Sequence, residues 1–209
     1  KELGTTASAA VLGQGVAGLA SELGTKQLDK VWAVEHELLK DYTPDAYTAA
    51  LKQLVAKANP TVVLFPHTYQ VRDFAPKLAT RFGKVLASDL IRIRVDGGTP
   101  VMVRQLFQGK LNADFKFDGA APHFASVQAG AYRAEQVQSG SATVEAFTPQ
   151  LDASTIRTKP QEPFRESARA VDLTTAEIIV SVGRGIKEKE NIELVERLAD
   201  RLRAAYRRV

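Results

Sequence analysis

Apolar and polar residues follow one another along the first ninety residues in a pattern that predicts alternating strands and helices. Small apolar residues over Thr5–Leu12 predict a strand, and a helix is expected near Val16–Leu23 after a glycine-rich turn. A second strand is predicted over residues 30–35. Strands that alternate with helices of this length are typical of βαβ units and a parallel sheet.

The next helix has clear signals at both ends. Thr43 is a good N-cap and Pro44 then takes the first helical position, while Asn59-Pro60 ends the helix. The continuous apolar run Thr61–Phe65 predicts a strand of the kind buried in parallel sheets. Another helix is expected over roughly residues 71–82. The apolar stripe of the first helix consists of Tyr47, Leu51, Leu54 and Val55.

The pattern changes after residue 90. Short strands separated by glycine-containing turns predict antiparallel hairpins added at one side of the sheet. A polar segment over residues 148–175, with three prolines, predicts an extended connector. The four short strands are Leu90–Val95, Val101–Phe107, Ala113–Phe117 and His123–Val127.

The last part of the chain returns to a strand followed by a helix. The run Ala176–Val182 predicts a buried strand, and an amphipathic helix is expected to follow it to the C-terminal residues. Arginines lie near the C-terminal end of this helix, where cations suit the helix dipole. Its apolar face is expected to contain Val195, Leu198, Ala199, Leu202 and Tyr206, and the arginines are Arg201, Arg203 and Arg207.

Composition limits the classes of function. Among 209 residues, the net charge of 28 − 24 = +4 is too small and too dispersed to indicate a nucleic-acid-binding protein. The chain has no cysteine, which excludes disulfides and thiolate metal sites. No apolar run approaches the roughly 18 residues of a membrane helix. Lys1–Gly4 resembles the end of a helix whose start is missing, so we expect a trimmed or processed N-terminus.

Gly13–Gly18 matches the G-x-G-x-x-G pattern of dinucleotide-binding turns. It follows a strand, opens a helix, and is followed about twenty residues later by acidic Glu35, as that pattern requires. One interpretation is a nicotinamide-dependent oxidoreductase, with backbone amides at the helix N-terminus binding a pyrophosphate. The other is a structural turn in which glycines merely let the chain bend.

Gly183-Arg184-Gly185 forms a second glycine-containing motif, at the end of the predicted buried strand. Two glycines allow close approach of a ligand, and the guanidinium of Arg184 suits a phosphate or a polarised carbonyl. A solvated loop arginine is the alternative. The three histidines are far apart in sequence and lack metal-ligand spacing, and we find no catalytic constellation.

The segment Ile179–Asp200, with the sequence IVSVGRGIKEKENIELVERLAD, resembles the start of the flavin domain in electron-transfer flavoprotein α subunits. Val63–Ser88, with the sequence VLFPHTYQVRDFAPKLATRFGKVLAS, is similar to another segment of that family. Val103–Lys110, Ala113–Val127 and Tyr42-Thr43-Pro44 also resemble it. The similarity covers roughly residues 1–203.

The resemblance implies an α/β fold: a three-layer nucleotide-binding-like domain over 1–172, with a mostly parallel sheet and an antiparallel hairpin insertion. Residues 173–209 would form the first β–α unit of a truncated FAD-binding domain. It further implies that Gly13–Gly18 is scaffold and that Arg184, Gly183 and Gly185 contact FAD. The family's first strand and most of its flavin domain are missing, so a complete FAD site is not expected.

The function implied by this resemblance is electron transfer rather than substrate turnover. The expected partner is an electron-transfer flavoprotein β subunit in an α/β heterodimer. Dehydrogenases would donate electrons, and a quinone-reducing or other acceptor would receive them. The expected location is the cytoplasm, or the mitochondrial matrix in a eukaryote. A non-catalytic nucleotide-binding scaffold remains a third interpretation.

Overall fold

The computed structural model of this chain describes residues 4–161, 177–202 and 205–208. Contacts divide the chain into two compact units, Lys1–Pro160 and Gln161–Val209. The expected domain boundary between residues 172 and 173 lies outside the described residues, as do residues 162–175 of the predicted connector.

Unit 1 contains eight strands and three α-helices among its described residues. The helices are α1 (Ala17–Gly24), α2 (Pro44–Ala58) and α3 (Tyr69–Arg81). The strands are β1 (Ser8–Gly13), β2 (Lys30–Glu35), β3 (Val62–Pro66), β4 (Leu86–Asp96), β5 (Thr99–Leu106), β6 (Leu111–Phe115), β7 (His123–Val127) and β8 (Thr143–Phe147).

The strands of unit 1 form two sheets. The first has the order β1-β2-β8 and is entirely parallel. The second has the order β3-β7-β4-β5-β6, in which β3, β7 and β4 are parallel while β5 and β6 add an antiparallel hairpin. The α/β class, the mostly parallel pairing and the antiparallel hairpin are therefore confirmed.

Three strand predictions need correction. The prediction placed β7 among antiparallel hairpins, but it pairs in parallel with both β3 and β4 and lies inside the parallel part. β3 was expected to be fully buried, yet it lies at the edge of its sheet, and the Leu64 side chain is 53% exposed. β8 was not predicted. It has the sequence Thr-Val-Glu-Ala-Phe and pairs with β2.

The core places helices on both faces of the first sheet. One cluster joins α2 and α3 to both sheets through Trp32, Val34, Phe65 and Phe124. Val31 and Ala33 of β2 point the other way and pack with Ala20 of α1 and with Val16, which precedes that helix. Successive strand residues face opposite sides of a sheet, so β2 has helices on both faces. The predicted three-layer arrangement is present here.

Local signals position α2 and α3 as the sequence predicts. The Thr43 hydroxyl accepts a hydrogen bond from the Ala46 N–H at 3.3 Å, and Thr68 caps α3 in the same way through Val71 at 3.2 Å. Asn59 ends α2 in the left-handed region at φ 44°. Asparagine tolerates that conformation better than most residues.

Unit 2 contains β9 (Ile179–Val182), α4 (Ile192–Leu202) and β10 (Ala205–Arg208) among its described residues. β10 pairs in parallel with β9, which makes a compact β–α–β unit. The C-terminal helix was predicted to include Tyr206 and Arg207, and this was wrong. Backbone pairing with β9 places both residues in a strand, although Tyr206 lies four residues after Leu202, at helical spacing.

Candidate functional site

The loop after β9 presents Gly183, Arg184 and Gly185 to solvent. Residues 184–186 form a single 3-10 turn, closed by a hydrogen bond from the Ile186 N–H to the Gly183 carbonyl at 3.1 Å. A second short turn follows at residues 189–191, and α4 begins only at Ile192. Six residues therefore separate Gly185 from the first residue of α4.

Neither glycine is required by the backbone of this loop. Gly183 has an extended conformation at φ −118°, and neither residue has a positive φ. No described atom lies within 4 Å of the position that a Cβ would take at either glycine. Glycine leaves the backbone open here, which is what close approach of a ligand needs.

One side-chain hydrogen bond and one unusual backbone conformation define the shape of the loop. The side-chain amide of Asn191 donates a hydrogen bond to the Ile186 carbonyl at 3.0 Å, which ties the first turn to the start of α4. Lys187 has a positive φ of 63°, a conformation uncommon for a residue with a side chain. Arg184 is exposed at the carboxyl end of a parallel strand, the edge at which open α/β sheets bind ligands.

The Gly13–Gly18 turn has a different arrangement. The Glu35 carboxylate accepts a hydrogen bond from the Val16 N–H at 2.7 Å, so the chain's own acid uses an amide that a pyrophosphate would need. Gly15 has φ 71° and meets the demand for a left-handed residue, while a Cβ at Gly13 would lie 2.7 Å from a Val16 methyl group. These features fit a structural turn.

Sequence reasoning missed a polar cluster at the carboxyl ends of β3 and β7. The His67 ring nitrogen Nδ1 lies 2.9 Å from the Ser126 hydroxyl, which also accepts the Asp89 N–H at 3.2 Å. Asp89 has φ 60° and sits where the pairing of β4 with β7 shifts register. The signals in the sequence are His67, which follows the predicted strand Thr61–Phe65, and the polar pair Ser88-Asp89, which interrupts an apolar run.

This cluster is a structural clamp. Ser126 is fully buried, so its hydroxyl is closed to a substrate, and its two contacts fix the irregular part of β4. His36 also has a structural contact, because its Nδ1 accepts the Leu38 N–H at 3.1 Å. Within the described residues there is no group of three or more side chains suited to a metal ion. None of the described helices has the length and hydropathy needed to span a bilayer.

Comparison with known proteins agrees with the two-unit organisation. A family model described as "Electron transfer flavoprotein domain" matches residues 1–152. A second, described as "Electron transfer flavoprotein FAD-binding domain", matches residues 172–207. The chain belongs to the electron transfer flavoprotein family.

Individual members of the family are similar over almost the whole chain. The "Electron transfer flavoprotein subunit alpha" of Syntrophomonas wolfei is 35% identical over 98% of this chain and 64% of its own length. The Bacillus subtilis protein of the same name is 36% identical over 93% of this chain and 59% of its own. The "Acryloyl-CoA reductase electron transfer subunit beta" of Anaerotignum propionicum is 32% identical, over 95% and 62%.

The chain spans about three fifths of the length of these curated relatives. The resemblance seen in the sequence to electron-transfer flavoprotein α subunits is confirmed. The second family model, whose description names FAD, covers β9, the Gly183–Gly185 loop and α4.

Proposed function

We propose that this chain is the electron-transfer subunit of an FAD-containing flavoprotein, and that Gly183, Arg184 and Gly185 contact the flavin cofactor. The supporting observation is the exposed loop at the carboxyl end of β9, with open space above both glycines. Bound FAD supplies the capacity to accept and release electrons. The chain would act as an electron carrier and would not turn over a substrate of its own.

The residues of the loop have separate tasks in this proposal. The glycines let the cofactor approach the backbone, and the Arg184 guanidinium offers charge-assisted hydrogen bonds to a phosphate or a ring carbonyl. Asn191 holds the loop through the Ile186 carbonyl. Because α4 begins nine residues after Gly183, its N-terminus is too distant along the chain to replace the arginine as the anion-binding group.

Replacement of Arg184 in the full protein, purified from its native host, tests whether this residue contacts FAD. Arg184→Ala should weaken FAD retention about ten- to a hundredfold, since a hydrogen bond to a charged group contributes about 1.5–3 kcal/mol. Arg184→Lys should restore only part of it, because the planar fork is lost. Arg197→Ala, which removes an exposed arginine from α4, is the matched control. Equal flavin content and equal redox potential in Arg184→Ala and the wild type would contradict the role.

We further propose a heterodimer with an electron-transfer flavoprotein β subunit, which receives electrons from dehydrogenases and delivers them to a quinone-reducing or other acceptor. The names of the relatives, among them a reductase's electron transfer subunit, support this arrangement. Co-expression with the candidate partner followed by size-exclusion chromatography should give a one-to-one complex. A stable monomer that does not bind the candidate partner would contradict the proposed heterodimer.

The nicotinamide alternative is not favoured, because Glu35 already accepts the N–H of Val16. Titration with NAD and NADP should show no binding in the micromolar range. The absorption spectrum of the native protein separates the flavoprotein from a scaffold without cofactor, since only the first carries a flavin band.

A further inference from the structure

The five-stranded sheet of unit 1 carries a cavity of about 600 Å³ beside its antiparallel strands. Its wall comes from the beginning of β4, from β5 at Arg104, and from the end of β6 with the residues that follow it. His123, at the start of β7, closes one side. All lining residues belong to unit 1, and neither the clamp at Ser126 nor the loop at Arg184 is among them.

The charge of this cavity is predominantly positive. Lys84, Arg104 and Lys116 line it together with one acid, Asp118. Burial, and then the charge of Lys84, lowers the pKa of His123, so this ring is neutral at neutral pH. Lys84 donates to the Ala120 carbonyl, a neutral acceptor, and therefore keeps its charge uncompensated at that contact.

Not all of these charges are equally available. Lys116 pairs with the Asp96 carboxylate at 3.2 Å, outside the cavity lining, and the Asp118 carboxylate accepts the Gly119 N–H at 2.8 Å. Arg104 has no carboxylate within ion-pair distance among the described residues. Arg104 and Lys84 are therefore the cations best placed to receive an anion.

Arg104 is held in a manner that costs stability. Its Nε is buried and has no hydrogen-bond partner among the described residues. A buried donor without an acceptor is unfavourable for folding. The backbone of Arg104 is fixed on both sides, since it pairs with Leu90 of β4 and with Ala113 of β6. An unpartnered buried donor in a native structure requires an explanation, and an acceptor atom of a bound ligand would satisfy this one.

The remaining wall is apolar and partly aromatic. Phe117 stacks on His123 with 4.6 Å between ring centroids and 10° between ring planes. Phe115 meets Phe117 edge to face at 6.4 Å. Val85 lines the same cavity and is 76% exposed, an unusual fraction for a valine. A flat apolar group could pack against these aromatic and aliphatic side chains and displace water from them.

We propose that this cavity binds a small organic anion, with its carboxylate or phosphate on Arg104 and Lys84 and a flat apolar group against Phe117. This site is additional to the flavin-contacting loop. It would give the protein a ligand other than its cofactor, recognised by one charged end and one aromatic or acyl end.

Calorimetric titration of the whole chain tests the proposal with phenyl phosphate, benzoate and inorganic phosphate. At least one aromatic anion should bind about tenfold or more tightly than inorganic phosphate, and the stronger of the two identifies phosphate or carboxylate as the charged end. Arg104→Met should weaken that binding about ten- to a hundredfold. Arg92→Met, which removes an exposed arginine of β4 outside the cavity, should leave it unchanged.

Two further measurements separate a binding role from a structural one. Arg104→Met should keep or raise the thermal midpoint of the free chain, because the unpartnered donor is removed. Phe117→Leu should weaken the binding of the aromatic anion and leave the affinity for inorganic phosphate unchanged. The proposal fails if neither aromatic anion binds, if inorganic phosphate binds equally well, or if Arg104→Met lowers the midpoint without changing affinity.

Discussion

Glu35 illustrates how one side chain can decide the use of a motif. Its carboxylate lies at the N-terminal end of α1 and accepts the Val16 N–H at 2.7 Å. A negative charge is favourable there because the first amides of a helix have no internal partner and carry the positive end of its dipole. The same charge would repel a phosphate. The Glu35 side chain thus occupies the amide at which a dinucleotide phosphate would bind the glycine-rich turn.

At this residue scale we predict that Glu35→Ala destabilises the chain by about 1–2 kcal/mol, the range for a charge-assisted hydrogen bond at a helix end. Urea unfolding followed by circular dichroism measures the change. Glu37→Ala, at an exposed acid two residues away, should alter the free energy of unfolding by no more than about 0.5 kcal/mol. Equal losses in the two variants would show that the contact with Val16 contributes nothing.

At the scale of elements, Asp45 joins α2, α3 and the segment after β8. It lies in the first turn of α2, and its side chain is only 11% exposed. It accepts hydrogen bonds from the Lys77 ammonium of α3 and from the backbone N–H of Arg157 at 3.0 Å. The Lys77 bond, with the contact to Arg157, holds the pKa of the Asp45 carboxyl well below its usual range.

The lowered pKa of Asp45 predicts a pH-dependent contribution to stability. A carboxyl group with a depressed folded-state pKa stabilises the fold above its unfolded pKa of about 3.9, and this stability is lost as the pH falls through the folded value. Asp45→Asn should therefore reduce the free energy of unfolding by about 1–3 kcal/mol at pH 7. The difference from the wild type should shrink steadily below about pH 4.

A matched variant controls this experiment. Asp96→Asn breaks the ion pair with Lys116, but the Asp96 side chain is 58% exposed, so we expect a loss of about 0–1 kcal/mol. A wild-type advantage over Asp45→Asn that stays constant between pH 7 and pH 2 would mean that the charge of Asp45 has no part in joining the elements.

At the scale of the whole molecule, the three described core clusters all lie within residues 1–160. The chain's one tryptophan, Trp32, belongs to the largest of them. Its fluorescence therefore reports the unfolding of unit 1 alone. The described part of unit 2 contains β9, α4 and β10 and buries fewer apolar side chains than unit 1 does. These are Val182, Ile192 and Ala199.

We predict that residues 1–160, produced alone, unfold cooperatively with the same Trp32 fluorescence midpoint as the whole chain. Leu78→Ala, which empties a fully buried position in the largest cluster, should lower the free energy of unfolding by about 2–5 kcal/mol in both. If residues 1–160 show no cooperative transition, unit 1 is not an independent folding unit.

The sequence alone determined the local elements and the family. Thr43, Pro44 and Asn59 carry their own capping chemistry, so α2 was predictable at both ends. Strand β2 and helix α3 were likewise predicted from local sequence. The ordered motifs around Gly183-Arg184-Gly185 also identified the family, because a combination of motifs is more specific than either glycine pattern alone.

Only the tertiary structure decided how these elements combine. Which strands pair depends on backbone groups far apart in sequence, so β7 between β3 and β4, and β10 beside β9, carry no local mark. The contact of Glu35 with Val16 and the cluster of His67, Asp89 and Ser126 likewise need folding to bring distant residues within hydrogen-bond distance. The basic cavity at Arg104 has the same origin. Arg104 lies 20 residues after Lys84 and 12 residues before Lys116 along the chain. The three cations converge only because β4, β5 and β6 pair in this register.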